Sequence, residues 1–225
     1  MGADIAAVLN MFLDPASAVK RIESKWIWVF PLAVLSVISA AIGWMTIPIT
    51  TQIMVRNPPD GTTREAMQRA LPTIEMFSKI GVFASPIIIV VITLMLAGLL
   101  LVACQVLGIQ AKFQNLFNLV AMASIIKAVH SLATFAVIKL KGDELQSVQD
   151  LSPPLGLDIF LPDGTSKALL AAVNYFSIFQ VWFLIAVALG LAAFTRSGKG
   201  KAFAAITPIW IFPLILAVGA AMFRR

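Results

Sequence analysis

The stretch Lys167–Ile206, KALLAAVNYFSIFQVWFLIAVALGLAAFTRSGKGKAFAAI, decides the fold class. Ala168 to Thr195 carries no charge, and a second apolar run resumes just beyond a basic turn, Arg196–Lys201. As one helix, the 28 residues from 168 to 195 would be about 42 Å long. A bilayer's hydrocarbon core needs only ~20 apolar residues. The stretch therefore predicts a span that overhangs into the headgroups, a short basic loop and a returning span. The chain reads as an integral membrane protein.

Composition agrees. Of 225 residues, 60% are hydrophobic and 12% charged, against about 25% charged in soluble domains. Spans and short connections use up the length, leaving no room for a separate soluble domain. The net charge of +6 does not point to nucleic acid, because the basic residues are scattered along span flanks. There Lys and Arg set orientation and meet anionic headgroups. Cys104 is the lone cysteine and lies in an apolar run, so it forms no intrachain disulfide.

Outward from the deciding stretch, the chain predicts an all-α polytopic fold of five transmembrane helices with short interfacial helices. Residues 1–25 form an N-terminal interfacial segment, and 26–225 a single five-span domain with spans near 26–50, 84–107, 113–138, 168–195 and 203–223. The late basic cluster Lys20, Arg21, Lys25, with Asp4 and Asp14 before it, is the wrong layout for a signal peptide. Ile5, Val8, Leu9 and Phe12 make a one-sided stripe at helical spacing. Asp14-Pro15 reads as an N-cap followed by proline at the first helical position. Trp26 and Trp28 form an aromatic belt before span 1.

Between spans 1 and 2, Asn57–Gly61 is a turn cluster. Thr62-Thr63-Arg64-Glu65 reads as a capping box that opens a short amphipathic helix, which Pro72 ends or kinks. Residues 139–167 form the longest polar connection. Within it, Pro153-Pro154 and Pro162-Asp163-Gly164 are turn signals, and Leu155–Leu161 is apolar enough to sit on the membrane or cap the bundle. Pro208 and Pro213 should bend span 5.

Five spans put the termini on opposite sides. With the N-terminus inside, cytoplasmic segments hold Lys20, Arg21, Lys25, Lys112, Arg196, Lys199 and Lys201, seven against nine on the other side. The raw count does not favour that orientation. The short basic loops Gly108–Lys112 and Arg196–Lys201, which weigh most in the rule, do.

Only span 3 carries ionisable groups inside it. On a wheel of 100° per residue, Ser124, Lys127, His130, Ser131 and Thr134 share one face, while Gln114, Asn115 and Asn118 lie elsewhere. A central lysine costs ~2.5–3.5 kcal/mol on insertion scales and so faces protein or water. Every acid of the chain falls outside the predicted spans, leaving Lys127 without an obvious partner. The face has three readings: Lys127 snorkels, which a mid-span position makes hard; it donates to backbone carbonyls, Ser and Asn inside a bundle; or it faces a wet cavity where an anionic group such as a lipid phosphate binds.

His130 alone is not a metal constellation, and no metal or other cofactor is expected. Asn174, Ser177, Gln180 and Gln105 should bond between helices, at ~0.6 kcal/mol each. Ala186 and Gly190 make a small-xxx-small pair suited to close packing. Ser197–Gly200, SGKG, lacks the spacing and preceding strand of a phosphate loop, which excludes nucleotide. No paired carboxylates or nucleophile–base pattern appears, so the protein is not expected to be an enzyme.

Phe176–Ile206 also resembles the late part of the Yip1 domain. It has a Phe-Ser start, Trp182, an aliphatic run to Gly190, a short turn and then Lys201-Ala202. Phe12–Ser36 is similar to that family's opening, with an aromatic, Asp14-Pro15, a basic stretch, a tryptophan and Pro31. Asn174-Tyr175 stand where the family often has an acid. The resemblance implies a cytoplasmic N-terminus and membrane-partner roles. Eukaryotic members associate with small GTPases and carry a long cytosolic tail. Only about 25 residues precede span 1 here, so the chain looks like the compact bacterial form, and GTPase binding does not carry over. Its expected place is the bacterial inner membrane. The expected partners are the lipid bilayer and other membrane proteins or further copies of itself, not nucleic acid or nucleotide. Transport or lipid handling through a polar cavity near Lys127 is the alternative.

Overall fold

In the computed structural model, which describes residues 2–58, 61–145, 148–151, 153, 155, 161 and 165–223, the chain is all-α. Its helices are α1 (Gly2–Asn10), α2 (Pro15–Ala18), α3 (Val29–Arg56), α4 (Arg64–Val106), α5 (Phe113–Lys141), α6 (Lys167–Tyr175), α7 (Ile178–Thr195), α8 (Lys199–Ala205) and α9 (Thr207–Phe223). Five segments are long and apolar enough to cross a membrane: Val29–Arg56, Arg64–Val106, Phe113–Lys141, Ile178–Thr195 and Lys199–Met222. Most of Leu155–Leu161 and the turn at 162–164 lie outside the described residues.

The helix bounds depart from the sequence reading in two places. The amphipathic helix expected after Thr62 does not stop at Pro72. It fuses with the second apolar run into α4, 43 residues or about 64 Å long, with Pro72 and Pro86 inside it. Each proline removes one backbone hydrogen bond, but α4 packs extensively on α3, and that contact carries the helix across the gaps. Its cap is Thr63, whose hydroxyl accepts from the Ala66 N–H at 3.2 Å, one residue later than the predicted box.

The second departure is in the deciding stretch. The single helix expected over 168–195 is two, α6 and α7, separated at Phe176-Ser177. Ser177 is buried and restarts the helix, its hydroxyl accepting from the Gln180 N–H at 3.2 Å. The Ile178 N–H donates to the Leu155 carbonyl at 3.3 Å. With caps and a loop carbonyl at hand, the backbone leaves the helix without stranding its polar groups. Likewise α8 and α9 part at Ile206, just before Pro208, whereas Pro213 stays inside α9.

The core sits at one end of the bundle. There α1, α2, the end of α4, the first half of α5, and α7 meet around Val8, Met11, Leu100, Leu119, Met122 and Leu191. Leu116 to Ile126 of α5 are buried at every position, so this half of α5 is wrapped on all sides. The α1 stripe turns partly inward. Val8 is fully buried and Leu9 exposed, so the apolar face serves the bundle first. A smaller cluster, Ile53, Ile138 and Leu145, closes the opposite end.

Candidate functional site

Two hydrogen bonds fix the N-terminal segment and set a depth scale for α5. The buried Asn118 side chain donates to the carbonyls of Ile22 at 2.7 Å and Ser24 at 3.2 Å. The Trp182 indole of α7 donates to the Phe12 carbonyl at 2.9 Å. Arg21 donates to Asp4 at 2.7 Å, and this bond holds the Asp4 carboxyl below its usual range.

The charged run Lys20–Lys25 therefore passes at the level of Asn118. At the other end of α5 the next charge is Lys139. From 118 to 139 is 21 residues, about 32 Å of helix, close to the ~30 Å of a hydrocarbon core. Lys127 lies nine residues from the lower level, about 14 Å, and about 18 Å from the upper. It stands near the middle of the layer.

At that depth α5 faces α7. Lys127 Nζ lies 4.3 Å from the centre of the Phe183 ring. His130 stacks on Phe179 with ring centres 5.3 Å apart. Both side chains are half-buried. A cation over an aromatic face gains ~0.5–2 kcal/mol, against the ~2.5–3.5 kcal/mol a central lysine costs. The ring offsets part of the cost and leaves the ammonium's remaining donors unused. Among the described residues, Lys127 has no ion pair.

The other members of the predicted face are satisfied locally. The buried Ser124 hydroxyl donates to the Ala121 carbonyl at 2.6 Å, and Ser131 donates to the Lys127 carbonyl at 3.1 Å. Thr134 is half-buried on the same side. The structure thus brings Lys127 and His130 together at the seam with α7. It turns the serines back onto their own helix.

Of the polar residues expected to bond between helices, Gln180 does so, its amide donating to the Tyr175 hydroxyl at 3.1 Å across the α6–α7 break, whereas Gln105 is exposed and Ser177 caps its own helix. Asn118 and Trp182 do that work as well, tying α5 and α7 to the N-terminal segment. Ala186 and Gly190 are buried, as their spacing predicts. A cleft of about 300 Å³ between α3 and α4, lined by Ser39, Gly43, Thr46, Ser78 and Ser85 among others, went unnoticed in the sequence. Its signal was the run of small residues at helical spacing. Thr46 and Ser85 spend their hydroxyls on backbone carbonyls of their own helices.

Comparison with known families finds a match: the model of the Yip1 domain covers residues 9–221, nearly the whole chain. The chain belongs to the Yip1 domain family. No match was found among curated proteins or among solved structures. Within this Yip1 domain chain, the matched region takes in the docked segment from Leu9 onward, both sides of the Lys127 seam and the α6–α7 break.

Proposed function

We propose that this Yip1 domain protein is a non-enzymatic, multi-pass membrane protein that acts through lipid and protein contacts within a membrane assembly. The supporting observation is the outer face of α4. Met76, Ile80, Phe83, Ile87 and Val91 recur at helical spacing and are all exposed, Phe83 at 75% and Ile87 at 70%. A face of this kind, running from beyond the α3 turn into the apolar run, offers lipid or a partner helix a continuous surface. The short basic loops Gly108–Lys112 and Arg196–Lys201 favour an orientation with the N-terminus in the cytoplasm.

A photo-crosslinking residue placed at Phe83 and at Ile87 in native membranes tests the reading. Discrete protein adducts, to a partner or to a second copy, are expected. Lipid adducts alone at both positions, from a protein that extracts as a monomer, would reject the assembly.

One observation favours a second reading, in which the protein handles a lipid or a solute. Lys127 lies at mid-layer and only half-buried, without an ion pair among the described residues. Cys104→Ala combined with Lys127→Cys gives a single thiol at that depth. Labelling of it by a membrane-impermeant reagent would establish a hydrated route. Protection from both sides, with loop cysteines labelling normally, would remove this reading.

A further inference from the structure

We infer that the seam between α5 and α7 at Lys127 and His130 is a binding site for a phosphate-type anion, carried by a lipid headgroup or free in water. The inference rests on the lipid-contact reading above and names its chemistry.

The argument begins with charge. No carboxylate occurs anywhere in α3, or in α5 through α9. The glutamates of α4 are Glu65, in its first turn, and Glu75, which pairs with Lys79 at 3.6 Å. Among the described residues, the wall around Lys127 therefore offers a net positive charge and no ion-pair partner to neutralise it. The Phe183 ring covers one side of the ammonium, and an ammonium has three donors. Among the described residues its Nζ makes no hydrogen bond, and the nearby Ser131 hydroxyl is spent on a backbone carbonyl.

Two further groups favour the same ligand. His130, one turn along α5, presents a ring N–H and stacks on Phe179. Phe179 is the second residue of α7, so the imidazole lies beside the first turn of an 18-residue helix, whose dipole adds a partial positive charge although its Ile178 and Gln180 N–H groups are already bonded. That end exists only because the chain breaks at Phe176-Ser177; a continuous helix over 168–195 would have placed no terminus there. The break, the lysine and the histidine together make a site that favours a compact anion with several acceptor oxygens. Both residues are half-buried at the edge of the seam.

The test uses the full-length chain in mild detergent and four variants: Lys127→Gln, Lys127→Arg, His130→Asn, and Lys201→Gln as an exposed control. One arm titrates phosphatidylglycerol against phosphatidylcholine and reads bound lipid by native mass spectrometry. The other titrates inorganic phosphate against chloride and reads the melting temperature. For a lipid source, phosphatidylglycerol binds about tenfold more weakly to Lys127→Gln, a loss expected for a hydrogen bond to a charged group. It binds near wild-type to Lys127→Arg, several-fold more weakly to His130→Asn, and normally to Lys201→Gln. For a free anion, the same order appears in the phosphate arm alone. Equal losses in Lys127→Gln and Lys201→Gln, or none in either arm, would overturn the inference. If Lys127→Gln does not fold, His130→Asn decides, and wild-type binding of both probes by that variant overturns it equally.

Discussion

Gly190 is the position where a single methyl group should expose how the N-terminal segment is held. A Cβ there would stand 2.5 Å from Leu119 Cδ1, 3.1 Å from Val19 Cγ1 and 3.4 Å from Met11 Cε. Ordinary contact is near 3.5–4.0 Å, so about an ångström of overlap must be relieved. The neighbours cannot easily give way: Leu119 and Met11 are 0% exposed and Val19 4%. Overpacking of this kind costs ~1–3 kcal/mol. Alanine in place of glycine within a helix returns ~0.5–1 kcal/mol, so Gly190→Ala should lose about 0.5–2 kcal/mol net.

Gly98→Ala is the matched control. Gly98 lies within α4 with nothing inside 4 Å of its virtual Cβ, so only the helical gain of ~0.5–1 kcal/mol applies. The two variants should shift stability in opposite directions. Cys104, 0% exposed, is a built-in reporter: a thiol-reactive dye that fluoresces on unfolding reads each melting point. At ~2–4 °C per kcal/mol for a chain of this size, Gly190→Ala should melt a few degrees below wild type and Gly98→Ala slightly above it. Trypsin should also cut faster at Lys20–Lys25 in Gly190→Ala, because Val19 must shift along with Leu119. A Gly190→Ala melting point at or above that of Gly98→Ala would refute the close packing.

Trp182→Phe keeps the ring but loses the bond to the Phe12 carbonyl. It should cost about 1 kcal/mol and speed tryptic cleavage at Lys20 and Arg21; an unchanged cleavage rate would count against the latch. Asn118→Leu leaves the Ile22 and Ser24 carbonyls without their donor, at ~1–3 kcal/mol for each buried one. Its melting point should fall further than that of Trp182→Phe. Thr63→Ala removes the α4 cap for about 1 kcal/mol, read as faster amide exchange confined to the first turns of α4. Asp4 has its carboxyl pKa lowered by Arg21, so the contribution of that pair is complete above the unfolded value and is lost as pH falls through the folded one. N-terminal protection from proteolysis should be flat from about pH 5 to 8 and weaken below about pH 4, with Asp4→Asn reducing the acid limb and the Asp14 cap on Ser17 supplying the rest; loss of protection between pH 6 and 8 would contradict the assignment.

What could be read from the sequence and what could not divide along the range of the physics involved. Insertion cost accumulates residue by residue, so charge-free runs such as Ile87–Leu107 announce themselves without reference to any neighbour. Helix ends inside apolar sequence do not. Pro72 reads as an end or a kink, and the helix continues through it where α4 packs on α3. Phe176-Ser177 looked like continuous helix and breaks, because the restart draws on the Ser177 cap and a carbonyl from Leu155, 23 residues away. The same holds for polar groups. The Lys127–His130 face follows from a helical wheel alone, but the rings of Phe183 and Phe179 depend on the register between α5 and α7, which no local pattern encodes. Asn118 was visible only as an isolated amide, since its acceptors sit 96 and 94 residues earlier in the chain.

Those long-range links bear on the site itself. The N-terminal segment is bonded to α5 at Asn118 and to α7 at Trp182, one residue before Phe183. The two helices that form the Lys127 seam are thus tied to a common third element about 14 Å or less from it along α5. A change that loosens the segment, such as Gly190→Ala, removes a restraint on the spacing of α5 and α7. Anion binding at Lys127 and tryptic protection of Lys20–Lys25 should therefore weaken together in that variant, whereas a purely peripheral N-terminus would let protection fall with binding unchanged.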